Sequence, residues 1–159
     1  MPLVVRWPGV IEAGSINDDI VSNLDFAETF LDIAGASIPE DMQGSSLLPI
    51  LKGRTPADWR KTFYYHYYEF PGAHSVARHY GVTDGNYKLI HFYENKDWEM
   101  FDLTADPNEL QSIYGRKEYA FIQSRLEKEL ARLRQHYNVP EQDPESTRPK
   151  PRQKRANNK

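Results

Sequence analysis

Tyr87-Lys-Leu-Ile-His-Phe-Tyr93 and Trp98-Glu-Met-Phe-Asp-Leu103 are the stretches that decide the fold of this chain. Both are rich in aromatic and aliphatic residues, and the second alternates apolar with polar side chains, as a half-buried strand does. Asp84-Gly85, just upstream, indicates a tight turn between strands. Further back, Thr62–Glu69 and Val76–Thr83 predict two more strands. The four stretches together predict a small antiparallel sheet with meander connections.

A long amphipathic helix is predicted after the sheet. Its apolar residues recur at intervals of three or four, which places them on one continuous stripe of a helix. We expect this stripe to pack across one face of the sheet. Its members are Tyr119, Ile122, Leu126, Leu130, Leu133 and Tyr137.

The part of the chain before the sheet has a different pattern. The short apolar run Leu3-Val-Val5 resembles a buried strand of a parallel sheet, and such a strand needs neighbours on both sides. Ser22 predicts the start of a helix, with Asp25 in a position like that of a capping box. Helical spacing of apolar residues continues to Ala34, where Gly35 ends the helix.

Composition bounds the class of protein. The chain has 159 residues, a net charge of −3 and no cysteine, which excludes a disulfide, a thiolate zinc site and a cysteine nucleophile. No apolar run approaches the roughly 20 residues of a membrane span, and the first residues lack the order of a signal peptide. The part before Pro140 is acidic, which argues against a nucleic-acid-binding face there.

The last twenty residues, 140–159, are proline, charged and amide residues without large apolar side chains, so we predict a disordered tail. From Thr147 onward the tail is basic. Binding of acidic glycan or nucleic acid is an alternative for it, but a solvated tail is favoured because no aromatic residue is interleaved. The basic residues are Arg148, Lys150, Arg152, Lys154, Arg155 and Lys159.

Four stretches in order carry a resemblance to a known family. Pro2-Leu-Val-Val-Arg-Trp-Pro-Gly9, Val21–Gly35 and Gln43–Leu51 resemble the final segment of the core of type I, formylglycine-dependent sulfatases. Residues 78–110, ending in Glu99-Met-Phe-Asp-Leu-Thr-Ala-Asp-Pro-Asn-Glu-Leu110, resemble their C-terminal subdomain. The pattern departs at Gln111-Ser112, where the family usually has asparagine. Within the family the chain resembles glycan sulfatases of the N-acetylglucosamine-6-sulfatase-like kind.

The resemblance implies an α/β fold class. Residues 1–55 would be the C-terminal segment of an alkaline-phosphatase-like sulfatase core. Residues 56–139 would be the sulfatase C-terminal subdomain, a four-stranded antiparallel sheet packed by a C-terminal helix. Residues 140–159 would follow as the disordered basic tail.

The chemistry of this family uses a formylglycine made from a Cys/Ser-x-Pro-x-Arg motif and a calcium ion that polarises the sulfate. Neither can be located in this chain, since the nearest match, Ser37-Ile-Pro-Glu-Asp41, has aspartate where arginine belongs. We therefore predict no catalytic or metal-binding residue here, and expect calcium and formylglycine in a full-length parent. The chain would complete the core and shape the substrate pocket of a sulfuric ester hydrolase acting on sulfated glycans.

The alternative function is a non-catalytic glycan-binding or interaction module that keeps the sulfatase C-terminal fold. The resemblance also implies an exported parent, in the periplasm, the extracellular space or the lysosome. The sequence of this chain alone does not fix the compartment.

Candidate substrate-binding residues are His74, Arg78 and His79. They lie in a stretch, residues 71–81, that resembles one in sulfatases acting on sulfated amino sugars. The resemblance implies hydrogen bonds from these side chains to sugar hydroxyls or a carboxylate. The alternative is that Arg78 and His79 merely alternate along a strand, one on each face.

Two other constellations in the subdomain favour structural roles. His66, His74, His79 and His91 match no metal-ligand spacing, so a zinc site is not predicted. Four tyrosines could stack on sugar rings, but tyrosines in such a run are more often sheet core with a polar tip. These are Tyr64, Tyr65, Tyr67 and Tyr68.

Overall fold

The computed structural model of the chain describes residues 2–70 and 75–144. These residues form two compact units, which we call unit 1 (up to Lys61) and unit 2 (from Thr62). The sequence places the boundary after residue 55. The structure places it later because Trp59 donates from Nε1 to the carbonyl of Ile20, and Arg60 pairs with Asp25.

Unit 1 contains two helices, α1 (Asp25–Ile33) and α2 (Leu48–Leu51). The predicted start of α1 is confirmed in part. The Asp25 carboxylate accepts from the Ser22 amide at 2.7 Å, and the Ser22 hydroxyl accepts from the Leu24 amide at 3.3 Å. Gly35 ends the helix with a φ of +67°, a conformation that glycine adopts without strain.

The run Leu3-Val-Val5 is not a strand, in contrast to the sequence prediction. A strand exists only where a neighbour satisfies its backbone hydrogen bonds, and residues 2–61 contain no strand to pair with it. All three side chains are exposed, and Val4 has 89% of its surface accessible.

The apolar core of unit 1 is small. Leu47, Ile50 and Trp59 are buried together, with Val21 and Leu51 packed against them. Helix α1 contributes no large apolar side chain to this core. Its buried residues are instead Asp25, Glu28 and Thr29, whereas Leu24, Phe26, Phe30 and Ile33 are exposed.

Unit 2 is built on the predicted four-stranded meander. The strands are β1 (Phe63–Tyr67), β2 (His79–Thr83), β3 (Tyr87–Phe92) and β4 (Asp97–Asp102), in the spatial order β1-β2-β3-β4 with every pair antiparallel. The β2–β3 turn is held by Asp84, whose Oδ1 accepts from the amides of Asn86 and Tyr87.

The predicted helix is α3 (Ala120–His136), and it follows a short 3-10 turn at Lys117–Tyr119. It packs its stripe onto one face of the sheet, and this confirms the expected helix-on-sheet arrangement. The core is formed by side chains of β2, β3 and β4, one residue before α3 and three leucines of α3. These are Tyr80, Val82, Leu89, Met100, Ile113, Leu126, Leu130 and Leu133.

The sheet of unit 2 has two sides, because successive side chains along a strand point to opposite faces. We call the side that packs against α3 the helix side and the opposite side the far side. Residues paired across the strands share a side. Tyr64 shares the helix side with Val82, and Tyr65 shares the far side with Gly81. His66, Tyr80, His91 and Trp98 form one such row on the helix side.

After α3 the chain passes Pro140 and turns back onto unit 2. The sequence assigns residues 140–159 to a disordered tail, but Asp143 lies against the sheet and accepts a hydrogen bond from the Tyr93 hydroxyl at 2.6 Å. The charge of Asp143 faces buried donors, which a composition argument does not reveal. Residues 145–159 lie outside the described residues, and their disorder stays a prediction.

Candidate functional site

The predicted contact loop joins β1 to β2. His74, the first candidate residue, falls in 71–74, outside the described residues. The two described ends of the loop are tied together, because Nη2 of Arg78 donates to the carbonyl oxygen of Phe70 at 3.0 Å. Arg78 therefore bridges the ends of the segment that carries His74.

Arg78 is itself buried, with 8% of its surface accessible. Its Nη1 lies 3.4 Å from Oε1 of Glu94 and 3.6 Å from Oδ2 of Asp143. The guanidinium of Arg78 therefore contacts two acidic side chains of unit 2 as well as the Phe70 carbonyl. Direct contact of Arg78 with a sugar stays a prediction.

His79 begins β2 on the far side of the sheet. Its Nδ1 lies 2.8 Å from the carbonyl oxygen of Ala77, which makes Nδ1 the protonated nitrogen of the ring. The ring stacks on Tyr67 with centroids 5.4 Å apart and also contacts Phe92 at 5.1 Å. Arg78, by contrast, reaches Asp143 and Glu94, so the structure does not bring the two candidates together. Sugar binding by His79 also stays a prediction.

The four tyrosines of the aromatic run do not form one platform. Tyr64 lies on the helix side, with its ring 6.2 Å from that of Tyr137. Tyr65 and Tyr67 lie on the far side, and both hydroxyls are buried without a partner among the described residues. Tyr68 stacks on His66 at 3.8 Å. Of the four, Tyr64 packs against the core of unit 2, and the structural interpretation of the other three stays a prediction.

A polar cluster that the sequence did not predict lies at one end of the sheet. We call His66, Arg78, Tyr93 and Asp143 the Asp143 cluster. Tyr93 donates to Oδ2 of Asp143 at 2.6 Å, and Nε2 of His66 lies 3.5 Å from Oδ1. The side chains of His66 and Asp143 are 6% and 10% exposed, so the cluster is largely shielded from water.

Protonation states in this cluster follow from burial. Burial lowers the pKa of His66 to about 4, although the Asp143 charge acts in the opposite direction. Burial and the hydrogen bond to Asp143 raise the pKa of Tyr93. At neutral pH His66 is therefore neutral, and Tyr93 keeps the proton that it donates to the carboxylate.

The described histidines His66, His79 and His91 do not converge on a metal site. His91 lies on the helix side, where its Nδ1 is 2.8 Å from the Tyr80 hydroxyl and its ring stacks on Trp98 at 3.9 Å. His79 is on the far side. Across residues 2–70 and 75–144, no three His, Cys, Asp or Glu side chains are placed to hold a metal ion.

The buried acidic face of α1 forms a second polar network, in unit 1. Asp25 accepts from the Ser45 amide at 2.9 Å, and Glu28 accepts from the Gly44 amide at 2.6 Å. The Thr29 hydroxyl accepts from the Leu47 amide at 2.8 Å. Side chains of α1 thus satisfy the backbone of the 43–47 loop, and this explains why carboxylates are buried there.

Unit 1 also contains an open cavity of about 520 Å³. Part of its lining is apolar, from Leu3, Val5, Ile11, Ile16, Leu47 and Ile50. Another part of the lining is polar and includes Glu12, Asp18, Asp19 and Lys52. No helix in the described part of the chain is long and apolar enough to cross a membrane.

Comparison with known proteins gives these features a context. The chain is 51% identical over 150 residues to an N-acetylglucosamine-6-O-sulfatase of Bacteroides thetaiotaomicron, covering 92% of this chain and 27% of that protein. It is 32% identical over 135 residues to the multifunctional alkaline phosphatase superfamily protein PehA of Trinickia caryophylli, covering 77% of this chain and 26% of that protein. The chain thus spans about a quarter of the length of these relatives.

The fold is also similar to that of a solved structure. BT4656, solved in complex with its substrate D-glucosamine-2-N,6-O-disulfate, matches with a TM-score of 0.82 and 50% identity, over 86% of this chain and 28% of that one. The expected alkaline-phosphatase-like sulfatase class is confirmed. The family of N-sulphoglucosamine sulphohydrolase C-terminal domains matches residues 1–136. The chain therefore belongs to this family of sulfatase C-terminal domains.

Proposed function

We propose that this chain is the C-terminal part of a sulfatase that hydrolyses 6-O-sulfate esters on glucosamine-type sugars of glycans. In such a protein the chain completes the core and shapes the substrate pocket. The 51% identical relative is an N-acetylglucosamine-6-O-sulfatase, and BT4656 binds a 6-O-sulfated glucosamine. Both relatives support this substrate class over a simple aryl sulfate.

One structural observation carries the proposal, and it is the orientation of α1. The acidic side of this helix is buried in unit 1, while Phe26, Phe30 and Ile33 remain exposed, Phe30 by 70%. An exposed apolar stripe of this kind is typical of a surface that another layer of protein covers. We infer that α1 packs against the remaining part of a sulfatase core.

The residues of this chain do not fit the catalytic groups of the family. The chain contains no cysteine. Asp25, the most buried aspartate of unit 1, is paired with Arg60, and Oε1 of Glu28 accepts from the Gly44 amide. These carboxylates are therefore engaged in holding unit 1 together. We assign the formylglycine and the calcium ligands to the part of the protein that supplies the rest of the core.

The contribution of unit 2 is to present the loop between Phe70 and Arg78 to the sugar. We propose that His74 contacts the substrate and that Arg78 holds the loop by bridging its ends, as its bond to the Phe70 carbonyl supports. Sugar contacts of Arg78 and His79 remain part of the proposal. An exported parent is likewise proposed, since the sulfatase family acts on glycans.

A chimeric enzyme tests the proposed function. The region of the Bacteroides thetaiotaomicron relative that matches this chain is replaced by this chain, and hydrolysis of glucosamine 6-sulfate is measured. We expect the chimera to retain 6-O-sulfatase activity within about tenfold of the parent, because half of the replaced positions are identical. The isolated 159-residue chain is the matched control and should release no sulfate.

Two results would contradict the proposal. A folded, soluble chimera without sulfatase activity would show that this chain does not complete the core. Turnover of the sulfate ester by the isolated chain would show that catalytic residues lie within it. Glycan affinity of the isolated chain, combined with an inactive chimera, would favour the alternative of a non-catalytic glycan-binding module.

A further inference from the structure

We propose that His66, Arg78 and Tyr93 form a binding site for one carboxylate group, which the chain fills with its own Asp143. The three residues come from different parts of unit 2. His66 lies on β1, Arg78 immediately precedes β2, and Tyr93 immediately follows β3. Their polar atoms nevertheless converge on the two oxygens of one side chain.

The hydrogen bonds of the site are directed towards the carboxylate. Oδ1 of Asp143 lies near Nε2 of His66, which favours the ring proton on Nε2, and Nδ1 is then free to accept from the Tyr64 hydroxyl at 3.0 Å. Nε2 then faces the Tyr93 hydroxyl at 3.4 Å and Oδ1 of Asp143 at 3.5 Å. Tyr93 donates its own proton to Oδ2. Tyr64, His66 and Tyr93 thus form a chain of donors that ends at the acid.

The shape and charge of the site favour a carboxylate over a larger anion. Tyr93 and Arg78 face Oδ2 of Asp143, and His66 faces Oδ1. This arrangement suits a flat group with two oxygens. Glu94 lies 3.4 Å from Arg78 and already balances part of its charge. A second negative charge on the ligand would therefore be repelled.

Asp143 reaches this site as an internal ligand. It follows Pro140 in a segment without helix or strand, and its neighbours Glu141, Gln142 and Pro144 are exposed. The donors, by contrast, belong to the sheet and to the loop end before β2, and the side chain of Arg78 is 10% exposed. The donors are thus a preformed part of unit 2, and the acid is supplied from outside the sheet. A free carboxylate can occupy the same position once Asp143 is removed.

Chemical rescue tests the proposal. In the 159-residue chain, D143A removes the internal carboxylate, and potassium acetate is compared with potassium chloride at equal ionic strength. We expect acetate to raise the melting temperature of D143A in a saturable way, with half-saturation at roughly 10 mM for so small a ligand. The wild-type chain and Glu141→Ala, which changes an exposed acid of the same segment, should show no specific acetate effect.

A second variant ties the rescue to the site. D143A combined with Tyr93→Phe removes the hydroxyl that donates at 2.6 Å, and should weaken the acetate effect about tenfold. If D143A does not fold in chloride, acetate in the refolding buffer should restore the folded fraction. Equal behaviour of D143A in acetate and chloride, folded or unfolded, would overturn the proposal and leave Asp143 as an ordinary ion-pair partner. The outcome is independent of sulfatase activity.

Discussion

Arg60 and Asp25 form a two-pronged ion pair in unit 1, with Nη1 2.6 Å from Oδ2 and Nη2 2.5 Å from Oδ1. Asp25 has no accessible surface, and the side chain of Arg60 is 19% exposed. The pair joins the first turn of α1 to the last residues of unit 1. It supplies the counter-charge that a fully buried carboxylate requires.

Replacing Arg60 by alanine should destabilise unit 1. The change leaves the Asp25 charge buried without its cation, and removing one partner of a buried pair costs about 3 kcal/mol or more. Amide hydrogen exchange of α1 measures the effect. Arg54→Ala, at an exposed arginine of the same unit, should change the exchange free energy by less than about 0.5 kcal/mol. Equal protection in both variants would show that backbone donors alone hold Asp25.

Leu126→Ala should destabilise unit 2 by about 2–5 kcal/mol, because the side chain is fully buried between α3 and the sheet. Phe121 on the same helix is 79% exposed and provides the matched control. Its replacement by alanine should shift stability by about 0.5 kcal/mol or less. Urea unfolding followed by circular dichroism measures both variants. A larger loss for Phe121→Ala would mean that the stripe of α3 is wrongly assigned.

Lowering the pH should reduce the stability of unit 2, because His66 becomes protonated. The pKa of His66 in the folded chain is about 4, below its ordinary 6.5, so the unfolded chain binds a proton first as the pH falls. The stability from neutral His66 is complete above about pH 6.5 and is lost as the pH falls towards 4.

Urea midpoints measured near pH 7 and near pH 5 test this expectation, since most carboxylates titrate below that window. His66→Gln should lose less stability between the two values than the wild-type chain. His136→Gln, at the exposed end of α3, should follow the wild type. An identical pH dependence in His66→Gln and the wild type would contradict the assignment.

His74→Ala in the chimeric sulfatase should lower kcat/KM for the 6-O-sulfated sugar by about tenfold, the effect of losing one hydrogen bond to substrate. His136→Ala serves as the control, because this exposed residue lies on α3 rather than in the contact loop. Kinetics with sulfated sugars that differ in sulfate position measure the change. An unaltered substrate profile would remove His74 from the site.

The architecture of unit 2 could be predicted from the sequence because its signals are local. The enrichment in aromatic residues and the alternation of apolar with polar residues predicted β1 to β4. The spacing of apolar residues at intervals of three or four predicted α3. The Asp143 cluster had no such signal, because Asp143 and His66 are far apart in the chain and Asp143 follows a proline in a segment without periodicity. Side chains that meet only through tertiary structure leave no pattern in a single sequence.

Unit 1 shows a second limit of pattern reasoning. The apolar spacing of α1 predicted a helix correctly, yet periodicity does not tell which face the same chain covers. Here the buried face is formed by Asp25, Glu28 and Thr29, because the 43–47 loop needs acceptors for its amides. The Leu3-Val-Val5 run failed as a strand prediction for a related reason, since a strand depends on partners that are not its neighbours in sequence.

The orientation of α1 has a practical consequence for work on the isolated polypeptide. Polar replacements at Phe26, Phe30 and Ile33 would remove exposed apolar surface. They would leave intact the buried carboxylates of α1, whose hydrogen bonds to the 43–47 loop hold unit 1 together. The same replacements should block assembly with a sulfatase core. Solubility of the isolated chain and its assembly with a sulfatase core therefore depend on the same side of one short helix, whereas the stability of unit 1 depends on the opposite side.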